Sequence, residues 1–424
     1  MVCNYLIVCA DLGKVKVFYG GLKKKCRFVS VNVNYVVFMK LLFMLSRVPY
    51  PLIKGDKLRA YYHIKELSKY HDIILCALSD EPVHKEAVEE LEKYCKSIHI
   101  FKLKWYKIIF NIFLALIKGK PLQTGYFNDK QIKKNVDEII RKEKVEHIFC
   151  QLIRVADYVK HHKIPKTLDY QDVFSKGIER RKKKVSFLLK PIFNMEYKRL
   201  EKYETEVFAY FTHRIIISEA DREHIQHKEK EKIHVIPNGV DQSYFKPQKR
   251  DKKYDLLFTG NMAYPPNIHA ATYLITEILP LLKSEFPNIN ILIAGACPVN
   301  KIRKMESTQV IVTGYVKDIR RCYEESRIFV APMQLGTGLQ NKLLEAMAMQ
   351  LPCVSSVLAN NALGASNGKE ILLGETATDY VSHIKKLLQN ENYTKEIAVA
   401  GYDFVSRNFN WEKLTLKIDE MIGR

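Results

Sequence analysis

The sequence predicts an α/β protein with two doubly wound domains, each built on a parallel sheet with helices on both faces. Three observations favour this fold class: a length of 424 residues, strand-like segments that alternate with helical ones, and glycines at the ends of several strands. A chain of this length is expected to form two domains with separate cores. Repeated strand–helix alternation is typical of parallel sheets. A ligand would then bind beyond the carboxyl ends of the strands, in the crevice between the domains.

The first domain is predicted to span residues 39–240. Met39 begins an apolar strand that ends in a proline-marked loop, and residues 56–70 follow with a helical pattern. The rest of the domain continues the alternation. Its predicted elements are a strand "DIILCAL", a helix at 84–95, strands "HIFCQL", "PKTLDY" and "RIIISEA", and a long charged helical stretch at 177–208.

Residues 1–38 differ from the rest, with six Lys or Arg residues, one Asp and short β-like pieces. Asn32, Asn34 and Lys40 interrupt the apolar stretch, which argues against a signal peptide. We interpret Met39 as the native start and residues 1–38, an atypical extension, as upstream reading frame. A genuine N-terminal extension is the alternative.

A linker at 241–253 is predicted to lead into a second domain at 254–408, and residues 409–424 form a last helix expected to return to the first domain. The second domain alternates more cleanly than the first. Its predicted elements are the strands "DLLFTG", "INILIAG", "QVIVTG", "RIFVAP" and "PCVSS", with helices near 267–286, 319–325 and 339–349.

The composition indicates an anionic partner. Lys and Arg number 68 against 47 Asp and Glu, a net charge of +21, which fits nucleic acid, an acidic lipid surface or a phosphorylated ligand. Nine cysteines without a CxxC pair argue against a zinc site or a disulfide framework and for a reducing, cytoplasmic compartment. No apolar run reaches the roughly 18–20 residues that cross a bilayer.

The segment "LGTGLQNKLLEAMAMQ", from Leu335 to Gln350, carries the main candidate site. Gly336 and Gly338 allow a close backbone approach to a ligand. Lys342 and Glu345, one helical turn apart, can contact a phosphate and a sugar hydroxyl behind a helix N-terminus. An ordinary surface salt bridge is the alternative.

Four segments in this order, "IPNGVD", "FTGNMAYPPN", "VTGYVKDI" and "GTGLQNKLLEAMAMQLPCV", resemble the donor half of family 4 glycosyltransferases with the GT-B fold. "SRVPYPLIKGDKLRAYYHIKELS" resembles the opening of a bacterial subgroup associated with exopolysaccharide and exosortase systems. The resemblance covers residues 39–424. It implies two Rossmann-like domains that face a central crevice, a nucleotide sugar as donor substrate, and no cofactor.

By this resemblance Glu345 would hold the ribose hydroxyls of the nucleotide, and Lys342 would neutralise its diphosphate. The family has a second glutamate eight residues earlier, where this chain has Thr337. That acid is therefore absent, so the resemblance does not imply the contact that this acid makes with the donor sugar in the family. Backbone N–H groups at Gly336 and Gly338 remain available for the sugar or the β-phosphate.

The loop at Gly260 and Asn261 leads from a strand into a helix and is predicted to cradle the diphosphate. Gly314 also ends a strand, and for this glycine we expect a role in turn geometry alone and no contact with a ligand. No D-x-D motif occurs in the chain, so we expect no metal site. The resemblance implies transfer with retention of configuration.

In the first domain, Gly55 and Lys57 lie in the loop after the first strand and are candidates for contacts with donor phosphate or acceptor; a solvated turn is the alternative. Asp169 and Asp172 follow a strand in "LDYQDVFS" and are candidates to orient the attacking hydroxyl or stabilise an oxocarbenium-like centre. We favour Asp172 narrowly, with helix capping an equal alternative. The segment "SEAD" at 218–221 resembles a family segment that lines the crevice, but Ser218 is better explained as the cap of the next helix.

Two segments point to a membrane surface. "WYKIIFNIFLALIKGK" at 105–120 is apolar and aromatic with flanking lysines, and "RRKKKVSFLLKPIF" at 180–193 places five consecutive basic residues beside another apolar stretch. Both fit a peripheral contact with an anionic membrane. A buried helix and a solvated charge run are the alternatives.

The leading hypothesis is a cytoplasmic glycosyltransferase that transfers a sugar to a glycan or lipid-linked acceptor, on the inner face of the plasma membrane if the peripheral contact holds. A same-fold nucleotide-sugar epimerase is one alternative. A catalytically silent nucleotide-sugar-binding module, prompted by Thr337, is another. Nucleic-acid binding rests on charge alone, without a recognisable motif, and is not expected.

Overall fold

The computed structural model describes residues 38–52, 54–182, 185–336 and 338–423, and the backbone of three short strands before them. Those strands form an antiparallel sheet of their own and pair with no other described strand: β1 (Leu6–Asp11), β2 (Lys14–Tyr19) and β3 (Ser30–Val31). The predictions for the side chains of 1–37, for Thr337 and for Lys183 and Lys184 fall outside the described residues.

The first domain is a seven-stranded parallel sheet in the order β10-β9-β8-β7-β4-β5-β6. Its strands are β4 (Lys40–Leu45), β5 (Asp72–Ser79), β6 (Ser97–Lys102), β7 (His147–Gln151), β8 (Lys166–Asp169), β9 (His213–Ile216) and β10 (His234–Val235). Its helices are α1 (Gly55–Leu67), α2 (Lys85–Leu91), α3 (Trp105–Ile117), α4 (Leu122–Phe127), α5 (Lys130–Glu143), α6 (Ala156–Val159), α7 (Phe174–Lys182), α8 (Lys190–Phe208) and α9 (Glu219–His224).

The second domain is a six-stranded parallel sheet in the order β13-β12-β11-β14-β15-β16. Its strands are β11 (Tyr254–Thr259), β12 (Ile291–Ala294), β13 (Val310–Gly314), β14 (Ser326–Ala331), β15 (Cys353–Ser355) and β16 (Leu372–Leu373). Its helices are α10 (Pro265–Tyr273), which continues through a π-helical turn (Leu274–Ile278) into α11 (Leu279–Lys283), then α12 (Asn300–Arg303), α13 (Arg320–Glu324), α14 (Asn341–Ala348), α15 (Val357–Asn360), α16 (Ala377–Gln389) and α17 (Glu391–Asn408).

These sheets confirm the predicted α/β architecture. The central strands β4, β7 and β11 are almost wholly buried, because helices cover both faces of a parallel sheet and leave it no solvent side. Strands β4 and β11 each lie at a point where the strand order reverses. The carboxyl ends of the strands at such a point form the ligand crevice of open α/β sheets.

The chain passes between the domains twice, first at residues 237–240 and again at residues 409–411, and these two crossings are in contact. Val240 donates its N–H to the carbonyl of Phe409 at 2.7 Å, and a Cβ added to Gly239 would lie 2.8 Å from the backbone nitrogen of Trp411. The last helix, α18 (Trp411–Ile422), packs its apolar face into the core of the first domain. The two domains are therefore tied at one edge of the crevice.

Candidate functional site

Glu345 lies in helix α14 on the second-domain side of the crevice. The hydroxyl of Tyr323 donates a hydrogen bond to its carboxylate at 2.7 Å, and that hydroxyl also contacts Thr259 Oγ1 at 2.9 Å. Burial raises the pKa of Glu345 to about 7, against the opposing effects of Tyr323 and Lys342. A half-buried carboxyl whose ionised form is this strongly disfavoured is costly to the fold, which is typical of a binding site.

Lys342 lies one turn before Glu345, and the two side chains do not form an ion pair with each other. The Lys342 ammonium instead donates to the side-chain oxygen of Asn267 and lies over the ring of Phe258, 4.7 Å from its centre. Burial lowers the pKa of Lys342 to about 7, and Glu345 opposes that shift. The alternative of a surface salt bridge is wrong, because both groups are recessed and each has its own partner.

The loop at Gly260 is shaped by close backbone packing. Gly260 has φ +156°, and a Cβ there would lie 2.6 Å from the amide nitrogen of Asn267. A Cβ on Gly295 would lie 1.9 Å from the carbonyl oxygen of Gly260. Asn261 forms the turn, since its carbonyl accepts from Asn267 Nδ2 at 2.9 Å and its side chain accepts from Ala263 N. Asn267 thus connects the predicted diphosphate loop to Lys342.

Helix α14 begins at Asn341, later than the predicted start at residue 339, so the two glycines lie in the loop before it. Gly336 has φ +94° and faces Pro266 at the start of α10, 3.7 Å from an added Cβ. The carbonyl of Gly338 accepts from the side chain of Gln340 at 2.7 Å instead of a helical N–H. This loop therefore runs past the N-terminal end of α10, and the predicted role of Thr337 remains a prediction.

On the opposite side, a pocket of about 240 Å³ lies at the carboxyl ends of β7 and β8. It is lined by Arg47, Gly55, Asp56, Leu152, Arg154, Gln171, Asp172 and Phe174. Gly55 is the first residue of helix α1, so it lies at a helix N-terminus rather than within a loop. Lys57 lies on the first turn of that helix and lines a neighbouring pocket; burial lowers its pKa, as do the nearby charges of Lys54 and Arg47.

Asp172 is exposed to this pocket and makes no hydrogen bond or ion pair with any described side chain. Although its surface is open to the crevice, the surrounding protein displaces bulk water, and this desolvation raises its pKa to about 6. The alternative of helix capping is wrong for Asp172. Helix α7 is capped by Glu204 of α8, which accepts from Ser175 N at 3.1 Å and from Ser175 Oγ at 2.6 Å.

Asp169 does not reach the pocket, which corrects its candidacy as a catalytic residue. Its side chain is fully buried and accepts a hydrogen bond from Nε of the equally buried Arg59 at 2.7 Å. Arg59 also contacts the first crossing between the domains, through Asn238 Oδ1 at 3.2 Å and the carbonyl of Pro237 at 3.3 Å. A carboxylate held in this way has no path to an attacking hydroxyl. Ser218, as expected, caps α9 by accepting from Asp221 N.

Three residues of this region were not predicted from the sequence: Arg59, Arg154 and Gln171. Arg154 lies three residues after the end of β7, so a cation soon after a buried strand was an available signal. Gln171 has φ +61°, a left-handed conformation that cannot be predicted from the sequence for a non-glycine residue. In the described parts of the chain, no three His, Cys, Asp or Glu side chains are grouped to hold a metal ion.

Comparisons with known proteins bear on the family and on the fold. Residues 253–390 match the family model described as glycosyl transferases group 1. An uncharacterized 44.6 kDa protein in the cps region of Klebsiella pneumoniae is 24% identical over 403 residues, covering 88% of this chain and 97% of that protein.

Two solved structures show the same fold. Sucrose-phosphate synthase from Thermosynechococcus elongatus has a TM-score of 0.65 at 13% identity, covering 90% of this chain and 98% of that one. HepE from Anabaena, in complex with UDP and glucose, has a TM-score of 0.64 at 13% identity, covering 91% and 99%. The expected GT-B fold is confirmed.

Proposed function

We propose that this chain, which has the GT-B fold and whose second domain matches the group 1 glycosyl transferase model, transfers a sugar from a nucleotide-sugar donor to a glycan or lipid-linked acceptor. We place the reaction in polysaccharide biosynthesis, in keeping with the cps region of the Klebsiella relative. The observation that carries the proposal is the recessed pair Lys342 and Glu345 behind two glycine-rich loops, in the matched domain.

On the donor side, Glu345 accepts hydrogen bonds from the ribose hydroxyls. The two ribose hydroxyls satisfy a carboxylate whose one hydrogen bond among the described residues comes from Tyr323. Lys342 exchanges its contact with Asn267 for the diphosphate, whose negative charge favours the protonated ammonium. The N–H groups at the start of α14 add positive potential where the leaving group gains charge.

On the acceptor side, Asp172 is the proposed group that orients the attacking hydroxyl. It lines the crevice pocket without an ion-pair partner among the described residues, and a pKa of about 6 leaves it ionised at neutral pH yet able to accept a proton. We propose retention of configuration and no metal, which rest on the family resemblance and on the missing D-x-D motif. The positive groups of the crevice would then take the role of a cation in stabilising the leaving diphosphate.

A panel of nucleotide sugars tests the proposal. We expect one or a few of them to raise the melting temperature of the full chain, since a ligand that binds only the folded state stabilises it. With that donor alone, mass spectrometry and NMR should show an unchanged sugar or slow hydrolysis. With a glycan or lipid-linked acceptor, they should show transfer.

Other outcomes separate the alternatives. Epimerised donor in the absence of acceptor would replace the proposal with the epimerase hypothesis. Donor binding without hydrolysis or transfer to any acceptor would favour a silent binding module. No stabilisation by any nucleotide sugar would contradict the proposal as a whole.

We also propose a peripheral membrane contact through an apolar surface on the first domain, formed by α3 and the turn before α8. In α3 the only buried side chain is Ala115, while Trp105, Phe110 and Phe113 are more than half exposed. The helix sits so tightly on α4 that a Cβ on Gly125 would lie 2.5 Å from Ala115 Cβ. The opposite, aromatic face has no cover within the described chain.

The second part of this surface is next to the first. Phe187 and Leu188 are 74% and 71% exposed just before α8. Further along that helix, Glu196 accepts from Leu122 N at 2.7 Å, and Arg199 donates to Leu116 O at 3.1 Å. Helix α8 is therefore joined to the α3–α4 connection, and the exposed turn that precedes it extends the apolar surface.

The charge around this surface matches an anionic bilayer. Residues 101–127 contain five lysines and no acidic residue, and residues 180–195 contain six basic residues and no acidic one. No described helix is long and apolar enough to cross a membrane. An exposed apolar face flanked by cations is typical of a helix that lies in the headgroup layer.

For the membrane contact, we expect the full chain to sediment with vesicles rich in phosphatidylglycerol and to be partly released by high salt, since salt screens the electrostatic attraction but not apolar insertion. Replacing Phe110 and Phe113 by Ser should remove the salt-resistant fraction. The matched control replaces Leu281 and Val399, exposed in the second domain, by Ser and should change nothing. Equal binding to neutral vesicles would exclude the electrostatic part, and no binding at all would overturn the proposal.

A further inference from the structure

The pocket at the ends of β7 and β8 holds two opposite charges that do not pair. Arg154 forms no ion pair with any described carboxylate, and Asp172 forms none with any described cation. The remaining pair in the pocket, Arg47 and Asp56, is satisfied internally at 2.7 Å. A guanidinium and a carboxylate that line one pocket without meeting leave room for a ligand that contacts both.

The Arg154 guanidinium is held rigidly. It stacks on Phe174, 4.3 Å from the ring centre, and its Nε and Nη2 donate to Gln123 Oε1 at 3.3 and 3.1 Å. Its Nη1 has no hydrogen-bond partner among the described residues. A planar, pre-oriented fork of this kind is suited to a carboxylate or phosphate.

An independent observation marks the pocket as a ligand site. Gln171 is only 6% exposed, yet its Oε1 has no hydrogen-bond partner among the described residues. Leaving a buried acceptor unpaired costs free energy comparable to a lost hydrogen bond. Because this oxygen has almost no accessible surface, a ligand hydroxyl would satisfy it only after a small shift of the Gln171 amide toward the pocket, beside the carboxylate of Asp172 and the N-terminus of α1 at Gly55.

We infer that this pocket is the acceptor subsite and that it selects an acceptor sugar bearing an anionic group, a phosphate or a carboxylate, which binds Arg154. Gln171 accepts from one hydroxyl of that sugar, and Asp172 faces the hydroxyl that attacks the donor. The inference rests on the proposed function, because it assigns the acceptor side of the same reaction.

The test uses the full chain and three probes, glucose 1-phosphate, glucuronic acid and glucose, with affinities from ligand-observed NMR. We expect both anionic probes to bind at least about tenfold more tightly than glucose, in line with a charge-assisted hydrogen bond. The two anionic arms show whether phosphate or carboxylate is preferred. The variant Arg154→Gln should abolish the preference, and Arg154→Lys should keep part of it.

The variant Lys342→Met is the control and should leave the preference unchanged. Loss of the preference in Lys342→Met would mean that the anion occupies the donor site, and its survival in Arg154→Gln would mean that another cation holds it. Either result overturns the inference, as does equal binding of all three probes. Nucleotide-sugar binding measured on the same samples separates the failures: intact donor binding without an anion preference contradicts this inference alone.

Discussion

Replacing Glu345 by alanine is expected to weaken nucleotide binding by about tenfold to a hundredfold, because hydrogen bonds to a charged group contribute roughly 1.5–3 kcal/mol. The stability of the folded protein should not decrease. Burial raises the pKa of this carboxyl to about 7, which means that its ionised form is disfavoured in the folded protein. The melting temperature of the variant without nucleotide should therefore be unchanged or higher.

Lys342→Met provides the comparison, since it keeps much of the volume of the side chain and removes its charge. It should reduce the affinity for a nucleoside diphosphate more than that for the nucleoside, whereas Glu345→Ala should reduce both. Titration calorimetry with the nucleotide identified in the donor panel measures the difference. Wild-type affinity in both variants would remove these residues from the donor site.

Asp169→Asn and Arg59→Met are each expected to lower the free energy of unfolding by about 3–5 kcal/mol, because each leaves a buried charge without its partner. Both side chains of the pair are fully buried, so water cannot compensate. Arg59 also bonds Asn238, and its loss should loosen the crossing between the domains. Denaturant unfolding followed by circular dichroism measures the change.

A surface pair serves as the control for this prediction. Lys93 and Glu90 lie 2.5 Å apart at the surface, and Lys93→Ala should leave the unfolding midpoint nearly unchanged, because water screens and replaces an exposed ion pair. A transfer assay on the same Asp169 variant tests whether the residue is only structural. If Asp169→Asn abolished transfer at unchanged stability, the residue would act in catalysis rather than in the buried pair.

The sequence alone determined the features that depend on local patterns. Strand–helix alternation predicted two parallel sheets, since each strand and helix shows its buried face through its own periodicity. The spacing of Lys342 and Glu345 was enough to place them side by side, because residues three apart project from neighbouring positions on a helix. The glycine at position 260 marked a strand end where the backbone was expected to approach a ligand; the close neighbour that the fold itself supplies there is Asn267.

Contacts between distant segments were decided only by the tertiary structure. Asp169 and Asp172 are three residues apart and chemically alike, yet Asp169 is paired with the buried Arg59, 110 residues earlier in the chain. Asp172 has no side-chain partner among the described residues, because Glu204 caps the helix beside it. The apolar run at 105–117 fits a core helix and a surface helix equally well until the packing leaves its aromatic face uncovered. Periodicity records which face of an element is apolar, but which partner meets that face depends on how the strands are ordered and where their ends converge.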